Sequence, residues 1–504
     1  MLTPEYLDSL PEPVLELFRQ VEEDILADMA RRISKMGAVT DTADWQRWRL
    51  EQIQLIRSDI TAQLSKITGL TQQELRKLFQ ESATQAIQAD DEIYRAAGLS
   101  PGSPNDNPEL LQLLNGGMRQ TSGTFQNLTR TTANTATQQF ERALDRAWLQ
   151  VSSGAFNYQA AIRTAIKSLA STGMQAIQYP TGHIDTLEVA VRRAVLTGVG
   201  KTTGEICLAH AEEMGCDLME ITAHPGARPS HMEWQGKIVS LSGRKGYLSK
   251  SDIGYGTGNG FKGWNCRHDW FPYFEGLSET AYPREKLREY ENQTVTYNGK
   301  TLSYYEATQQ QRYIERQIRR WKREYLMMDT VGPYCDKCDT TQASMKLAQW
   351  RAAEKDFCKQ TGLDRDGFRS QVEGFGRSEA RKAYWQNRKE VEKYNKIRYN
   401  KDGTIVVTDD WTSKKSPHLE STYKPNAVVD TISRGGKQRD RMIYDEEGRQ
   451  KTQISNGPHS NPKNHPFGKH GEHAHDIIWE NGKIVSREPR NLTDQERKEH
   501  ADIL

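Results

Sequence analysis

The sequence has few of the features that mark a secreted or membrane-bound protein. Its 504 residues include only six cysteines, which are too few and too irregularly spaced for a disulfide scaffold. No run approaches the roughly 18 apolar residues of a transmembrane helix, and the first twenty residues lack a basic stretch followed by an apolar one. We therefore expect no membrane association and a protein made and assembled in a reducing cytoplasm.

An excess of charge of one sign is also lacking. The 69 Lys and Arg residues nearly balance the 67 Asp and Glu residues, so the whole chain does not have the strongly basic character of many nucleic-acid-binding proteins. Aromatic residues are plentiful, with 11 Trp, 20 Tyr and 12 Phe available to fill a core. A chain of this length is expected to form roughly two to four domains.

Helical patterning dominates the first 214 residues, where apolar side chains recur every three or four positions. We expect one helix over about 12–36 and a second over about 42–67, which Gly69 ends. Thr71 and Glu74 have the spacing of a capping box, which predicts that a third helix begins there. The N-terminal part of the chain is therefore predicted to be an all-helical domain.

The pattern changes twice further along the chain. Near Leu218 apolar and polar residues alternate, which predicts a short strand. Charged helices follow, and beyond residue 396 the segment Ile405 to Thr408 and several turn dipeptides indicate strands. We predict a mainly α protein with a central α+β core, long charged helices and a small β-rich C-terminal module. The predicted segments are 1–98, 108–214, 215–283, 300–395 and 396–504.

Glycine, aromatic, histidine and cysteine residues concentrate between 217 and 276. Four of them, His224, His231, Cys266 and His268, carry ligand atoms that suit zinc, which takes four such atoms at tetrahedral corners. Their spacing differs from that of standard zinc modules. The alternative is that the histidines bind backbone carbonyls and that Cys266 is simply buried.

A catalytic interpretation of the same block has less support. Cys266 and His231 could form a nucleophile and base, but spacing identifies no third activating group and no oxyanion donor. The alternating glycines from Gly254 to Gly263 lack the Lys-Ser/Thr of a phosphate-binding loop. They more simply allow tight turns between aromatic residues.

Two weaker patterns lie in the charged helices. Cys335 and Cys338 form one Cys-x-x-Cys pair without a second pair, which is weak evidence for zinc or redox chemistry. Arginines one turn apart could contact DNA phosphates, although such a run is also typical of a solvated helix face. These arginines are Arg316, Arg319, Arg320 and Arg323.

Histidines cluster again in the C-terminal module, where five of the twelve lie within seventeen residues: His459, His465, His470, His473 and His475. His470, His473 and His475 lie beside acidic residues that could fix their tautomers, so a metal site or a small ribonuclease-like centre could be built there. The alternative is a turn with exposed histidines.

The block between 217 and 276 resembles the signature of the phage minor capsid protein 2 family and, more distantly, the head-morphogenesis proteins of Mu-like phages. Here His268 takes the position of a cysteine that those relatives often carry. The residues that bear the resemblance are His224, Arg228, His231, Trp234, Gly236, Gly263, Trp264, Cys266, Arg267 and His268.

The resemblance implies a structural role and no enzymatic one. It implies a minor virion component that associates with the portal protein and other head proteins during head assembly in the host cytoplasm. It further implies an oligomer at the portal vertex of the capsid, and phage DNA is a further candidate partner. The residues beyond 396 faintly resemble toxin-like nuclease tails, so a phage-borne protein with a ribonuclease-like domain is the alternative.

Overall fold

The computed structural model describes residues 1–504 other than 39–41, 104–106, 333–339, 395, 415–416, 434, 460–462, 464 and 481, with the backbone alone over 37–38 and 390–394. Cys335 and Cys338 lie outside the described residues. The chain divides into two compact units, Met1–Glu379 and Ala380–Leu504. This division is coarser than the five segments expected from the sequence.

Helices form most of the first unit, as predicted. In chain order they are α1 (Pro4–Ser9), α2 (Glu12–Ser34), α3 (Thr42–Ala96), α4 (Pro108–Ser152), α5 (Tyr158–Thr172), α6 (Leu187–Glu213), α7 (Pro229–Met232), α8 (Arg284–Asn292), α9 (Tyr304–Val331) and α10 (Thr341–Thr361). The next helix, α11 (Arg377–Tyr394), begins at the end of this unit and belongs mostly to the second. The apolar stripe of α2 is buried over most of its length, as the three-to-four periodicity predicts.

One prediction about these helices is wrong. Gly69 does not end a helix, because α3 runs unbroken for 55 residues from Thr42 to Ala96. Thr71 caps nothing, since its hydroxyl donates a hydrogen bond to the Ile67 carbonyl one turn back. Leu64 and Leu75 are buried on either side of the glycine. Packing along this face stabilises the helix and offsets the cost of one glycine, about 1 kcal/mol.

Small residues bring α4 and α6 close together. A Cβ atom added at Gly117 would lie 1.9 Å from the Thr202 hydroxyl, and one added at Gly198 would lie 2.3 Å from the Thr121 hydroxyl. Each helix therefore places a glycine against a threonine of the other. The hydrophobic core of this unit also includes Trp45, Phe79 and Phe140, which are all almost fully buried.

Three small sheets complete the first unit. Antiparallel pairs form between β1 (Gln175–Gln178) and β2 (Ile184–Thr186) and between β7 (Thr294–Tyr297) and β8 (Lys300–Ser303). The central sheet contains β3 (Leu218–Ile221), β4 (Ile238–Ser240), β5 (Leu248–Ser249) and β6 (Trp270–Tyr273) in the order β5-β4-β3-β6. The predicted strand near Leu218 is therefore confirmed, with strands on both sides.

The second unit is built on one six-stranded sheet, so the β-rich C-terminal region is confirmed. Its strands are β9 (Asp409–Asp410), β10 (Val428–Ile432), β11 (Arg439–Tyr444), β12 (Gln450–Ser455), β13 (His473–Glu480) and β14 (Lys483–Arg490), in the order β14-β13-β12-β11-β10-β9. Neighbours are antiparallel except β9 and β10. The segment Ile405 to Thr408 is not a strand, because only Ile405 forms a bridge, with Tyr399.

The last helix, α12 (Asp494–Glu499), begins at the predicted capping box. The Thr493 hydroxyl accepts from the Glu496 backbone N–H, and the Glu496 carboxylate accepts from the Thr493 N–H. Behind this helix the buried Arg441 guanidinium binds two carboxylates, those of Asp430 at 2.7 Å and Asp502 at 2.6 Å. Within the described residues, no helix has the length and apolar character that crossing a membrane requires.

Candidate functional site

The fold explains why two distant parts of the sequence meet. β3 and β6 are antiparallel neighbours, with Ile221 opposite Trp270. His224 follows the end of β3 and His268 precedes the start of β6, so both lie at the same end of the strand pair. Their rings stack with centroids 4.7 Å apart. The short helix α7 places His231 at this end of the strand pair too, next to His268.

Three of the four predicted ligands form a tight group. The ligand atoms of His231, Cys266 and His268 all lie within 4.8 Å of one another, and all three side chains are buried. His231 Nδ1 and His268 Nδ1 are 3.3 Å apart, and the Cys266 Sγ is 3.7 Å from His268 Nδ1. The structure therefore brings together three side chains that could hold one metal ion.

His224 is not a member of this group. Its Nδ1 lies 2.9 Å from the carbonyl oxygen of Pro225, its own neighbour in sequence. Burial and the nearby Arg267 lower the pKa of His224 to about 4, so the ring is neutral near pH 7. We infer that it packs on His268 and takes no part in the three-residue group.

The remaining motif residues shape the walls of this core. The Trp234 ring lies 4.4 Å from the His231 ring and 4.9 Å from the His268 ring, between centroids. The Arg228 guanidinium donates to the Trp264 carbonyl at 2.6 Å, which ties the two halves of the motif together. The Trp264 side chain itself is half exposed.

Two motif glycines are required by space. A Cβ atom at Gly263 would lie 2.1 Å from the Thr257 carbonyl oxygen, which is backbone and cannot move aside. Gly236 has a φ of +66°, and a Cβ atom there would lie 2.5 Å from Leu287. Any larger residue at either position would displace the loop that carries the ligands.

Sequence reasoning missed three residues of this core. The Lys262 ammonium lies 2.5 Å from the Asp269 carboxylate in the interior, with both side chains almost fully buried. Asp269 also accepts the Leu2 backbone N–H at 2.5 Å. The side-chain oxygen of Gln235 lies 3.3 Å from His268 Nε2. Nothing in their spacing signals these contacts, because they depend on how the segments before β4 and before β6 fold against each other.

The predicted DNA-contact arginines of α9 have different surroundings. Arg323 is buried and pairs with Glu22 at 2.8 Å and Glu23 at 2.6 Å, so its guanidinium is not available to a partner. Arg319 pairs with Glu188. Arg320 lies over the Trp321 ring, and Arg316 is exposed. DNA contact stays a prediction, for which Arg316 is the most accessible residue.

The tail histidines assemble differently from the prediction. His473 Nε2 and His475 Nε2 are 2.8 Å apart, and His459 joins them in a group whose ligand atoms lie within 4.8 Å. The His465 ring is 4.5 Å from the His473 ring. His470 is exposed and stays outside this group, because the chain turns at Gly471 before β13 begins. A catalytic role for these residues stays a prediction.

Comparison with known proteins places the chain among phage structural proteins. A protein described as a structural protein of Lactococcus phage LL-H is 28% identical over 297 residues, which cover 53% of this chain and 77% of the relative. A structural protein of Lactococcus phage mv4 is 38% identical over 86 residues, covering 17% of this chain and 61% of the relative. No solved structure shows significant similarity.

The family can be stated more closely. The model of the family described as phage minor capsid protein 2 matches residues 2–359, which include all of the helices α1 to α9 and the whole His/Cys core. The chain belongs to this family, and the resemblance seen in the sequence is confirmed. As a phage structural protein it is a component of the virion that associates with other head proteins. The match ends before the second compact unit begins.

Proposed function

We propose that the protein acts at the portal vertex of the phage head, as an oligomer that binds the portal protein and joins the head during assembly in the host cytoplasm. The observation that supports this most is a set of exposed leucines on the long helices. Leu50 and Leu70 of α3 are about half exposed, and Leu149 of α4 is 67% exposed. With its 55 residues, α3 is about 80 Å long, which suits contact with a partner along its length.

A binding assay with the portal protein of the same phage tests this proposal. The two proteins are co-expressed, and capture on a tagged portal protein is measured by quantitative gel or mass spectrometry. Replacement of Leu50, Leu70 and Leu149 by Glu is expected to reduce capture at least tenfold, because it places charge in an apolar contact. The matched control is Leu277→Glu, since Leu277 is equally exposed at 72% but lies in the turn after β6. Equal capture of all variants would count against a portal contact through these leucines.

The second part of the proposal is that His231, Cys266 and His268 bind one zinc ion, which stabilises the fold of the family motif. The hydrogen bonds fix which nitrogen of each ring carries its proton. His231 Nε2–H donates to the Asn259 carbonyl at 3.0 Å, which leaves Nδ1 as the lone-pair nitrogen. Carbonyl acceptors of this kind orient histidine ligands in metal sites.

The same reasoning applies to His268. Its Nε2 lies 3.3 Å from Gln235 Oε1, and that oxygen also accepts the His224 backbone N–H at 3.2 Å. Because the backbone donor fixes the orientation of the amide, Nε2 must carry the proton here too. Two lone pairs therefore face each other across 3.3 Å between His231 Nδ1 and His268 Nδ1, which is unfavourable unless a cation lies between them.

A proton is a poor candidate for that cation. Burial lowers the pKa of His231 to about 4, with a further contribution from Arg228, and burial lowers the pKa of His268 well below its usual range. Zinc fits the spacing. Tetrahedral zinc with bonds of about 2.05 Å to nitrogen and 2.3 Å to sulfur requires separations of about 3.35 Å between nitrogens and about 3.55 Å from nitrogen to sulfur. The observed values are 3.3 Å for His231–His268 and 3.7 Å for Cys266–His268, and the His231 and Cys266 ligand atoms lie within 4.8 Å of each other.

The last part of the proposal concerns phage DNA. Of the arginines on α9, Arg316 is exposed and borders a cavity that the His/Cys core also lines. A phosphate contact through this residue would weaken with salt, because each contact releases a counterion. The structural role and the zinc ion do not depend on this contact.

A further inference from the structure

A cavity of about 430 Å³ lies beside the His/Cys core, between α6, α9 and the motif loops. Its lining is strongly basic, with seven arginines against the three carboxylates of Asp8, Glu188 and Glu315. The arginines come from four separate parts of the chain: Arg192 on α6, Arg228 and Arg267 in the motif, Arg312, Arg316 and Arg319 on α9, and Arg369 after α10.

The carboxylates of the cavity do not balance this charge. Asp8 alone is shared by three arginines, at 3.7 Å from Arg192, 3.6 Å from Arg267 and in a close pair with Arg369. Glu188 is likewise divided between Arg319 and Arg19. Two carboxylates of the lining thus pair with four of the cavity's seven guanidinium groups. Arg369 has one further partner, Asp366 at 2.8 Å.

The other cavity arginines have no acidic partner in the described part of the chain. The ion pairs formed there do not include Arg228, Arg312 or Arg316. Burial, with repulsion from Arg267 and Arg369, lowers the pKa of Arg312 to about 10. Burial also raises the pKa of Glu315 to about 7, so this carboxyl is only partly charged at neutral pH. The cavity therefore has a positive excess that a bound anion would neutralise.

We propose that this cavity binds a phosphate group, supplied either by a free nucleotide or by the backbone of a nucleic acid. Guanidinium groups that approach from several directions suit a tetrahedral oxyanion, which offers oxygens on all sides. A carboxylate offers two oxygens in one plane, and Asp8 already takes that place for three of the arginines. Tyr305 and Gln309 add neutral groups to the same wall.

The nucleic-acid source deepens the DNA contact proposed above and rests on it, whereas the free-nucleotide source does not. Binding is measured on the full-length protein with two phosphate probes and one carboxylate probe. One phosphate probe is a fluorescent single-stranded 12-nucleotide DNA followed by anisotropy, and the other is ATP followed by calorimetry. An oligomer of twelve glutamates is the carboxylate probe of comparable charge.

The test variant is Arg312→Met with Arg316→Met, which keeps the long side chains and removes two charges that form none of the ion pairs around the cavity. We expect it to weaken binding of the phosphate probe at least tenfold and to reduce the slope of log K against log salt for DNA by about 1.4. Arg47→Met with Arg76→Met is the matched control, because both residues are exposed on α3 and neither lines the cavity. If the double variant does not fold, the single variant Arg316→Glu replaces it in the same binding measurements.

Each outcome has a definite meaning. Binding of DNA that depends on Arg312 and Arg316 supports the site and the DNA contact together. Binding of ATP alone supports the phosphate site and overturns the DNA contact. Equal binding of the glutamate oligomer, equal loss in the control variant, or no binding of either phosphate probe would overturn the phosphate site. None of these outcomes bears on capture by the portal protein.

Discussion

The Arg323 guanidinium lies 2.8 Å from the Glu22 carboxylate in the interior of the protein, where it ties α9 to α2. Glu23 accepts a second bond from the same guanidinium at 2.6 Å, and Glu22 also accepts the Met174 backbone N–H at 2.9 Å. Helices about 300 residues apart in sequence are therefore joined by one charged group. The run of arginines on α9 is typical of a solvated helix face, but one of them, Arg323, forms buried ion pairs that stabilise the packing of α9 on α2.

Removal of this guanidinium should destabilise the first unit strongly. Arg323→Met leaves two buried carboxylates without their partner, and we expect a loss of about 3–5 kcal/mol in the free energy of unfolding. Urea denaturation followed by circular dichroism measures it. Arg316→Met is the control, because Arg316 is exposed on the same helix and should change stability by less than about 0.5 kcal/mol. Similar midpoints for the two variants would contradict the internal role.

Metal content distinguishes the proposed site of three ligands from the four-ligand site predicted by the sequence. We expect one zinc per chain in the natural protein and in His224→Asn, because His224 faces Pro225, and none in Cys266→Ala. Mass spectrometry of metals on protein purified without chelators gives the count. After exchange into cobalt, the thiolate absorption band should be present in the first two proteins and absent from the third. Loss of zinc in His224→Asn would restore the four-ligand interpretation, and a metal-free natural protein would refute the site.

Two adjacent glycines of α4 should respond in opposite directions. Gly116→Ala meets nothing within 4 Å and should stabilise the helix by about 0.5–1 kcal/mol, because alanine loses less backbone entropy on folding. Gly117→Ala would place its Cβ atom 1.9 Å from the Thr202 hydroxyl and should destabilise the protein by about 1–3 kcal/mol. Thermal unfolding of the two variants checks the sign. Equal shifts would mean that the α4–α6 crossing is looser than described.

Glu315 should make stability depend on pH. Burial raises its pKa to about 7 from an ordinary value of 4.5, although Arg369 and Arg312 favour the charged form and Asp366 opposes it. A raised folded pKa gives a stabilisation that is complete below about pH 4.5 and is lost as the pH rises through 7. We expect Glu315→Gln, which cannot ionise, to gain about 2–3 kcal/mol relative to the natural protein between pH 5 and pH 8. Urea midpoints at the two pH values test this, and a constant difference would contradict it.

Much of the helical architecture follows from local pattern. The apolar stripe of α2 can be predicted because buried positions repeat with the helical period. The failure at Gly69 is instructive, since glycine weakens a helix by only about 1 kcal/mol and the burial of Leu64 and Leu75 on the same face exceeds that cost. Local signals predict a break there, but packing removes it.

The sequence by itself determined the family and the residues of its motif, because the histidines, cysteine and glycines at 224–268 are a pattern of residue types that needs no coordinates. Only the tertiary structure decided their roles. The pairing of β3 with β6 brings His231, Cys266 and His268 together and turns His224 toward Pro225. Tertiary packing also brings arginines from four segments together around one cavity. Such contacts join residues far apart in the chain, and their geometry depends on strand pairing and helix packing, which local periodicity does not record.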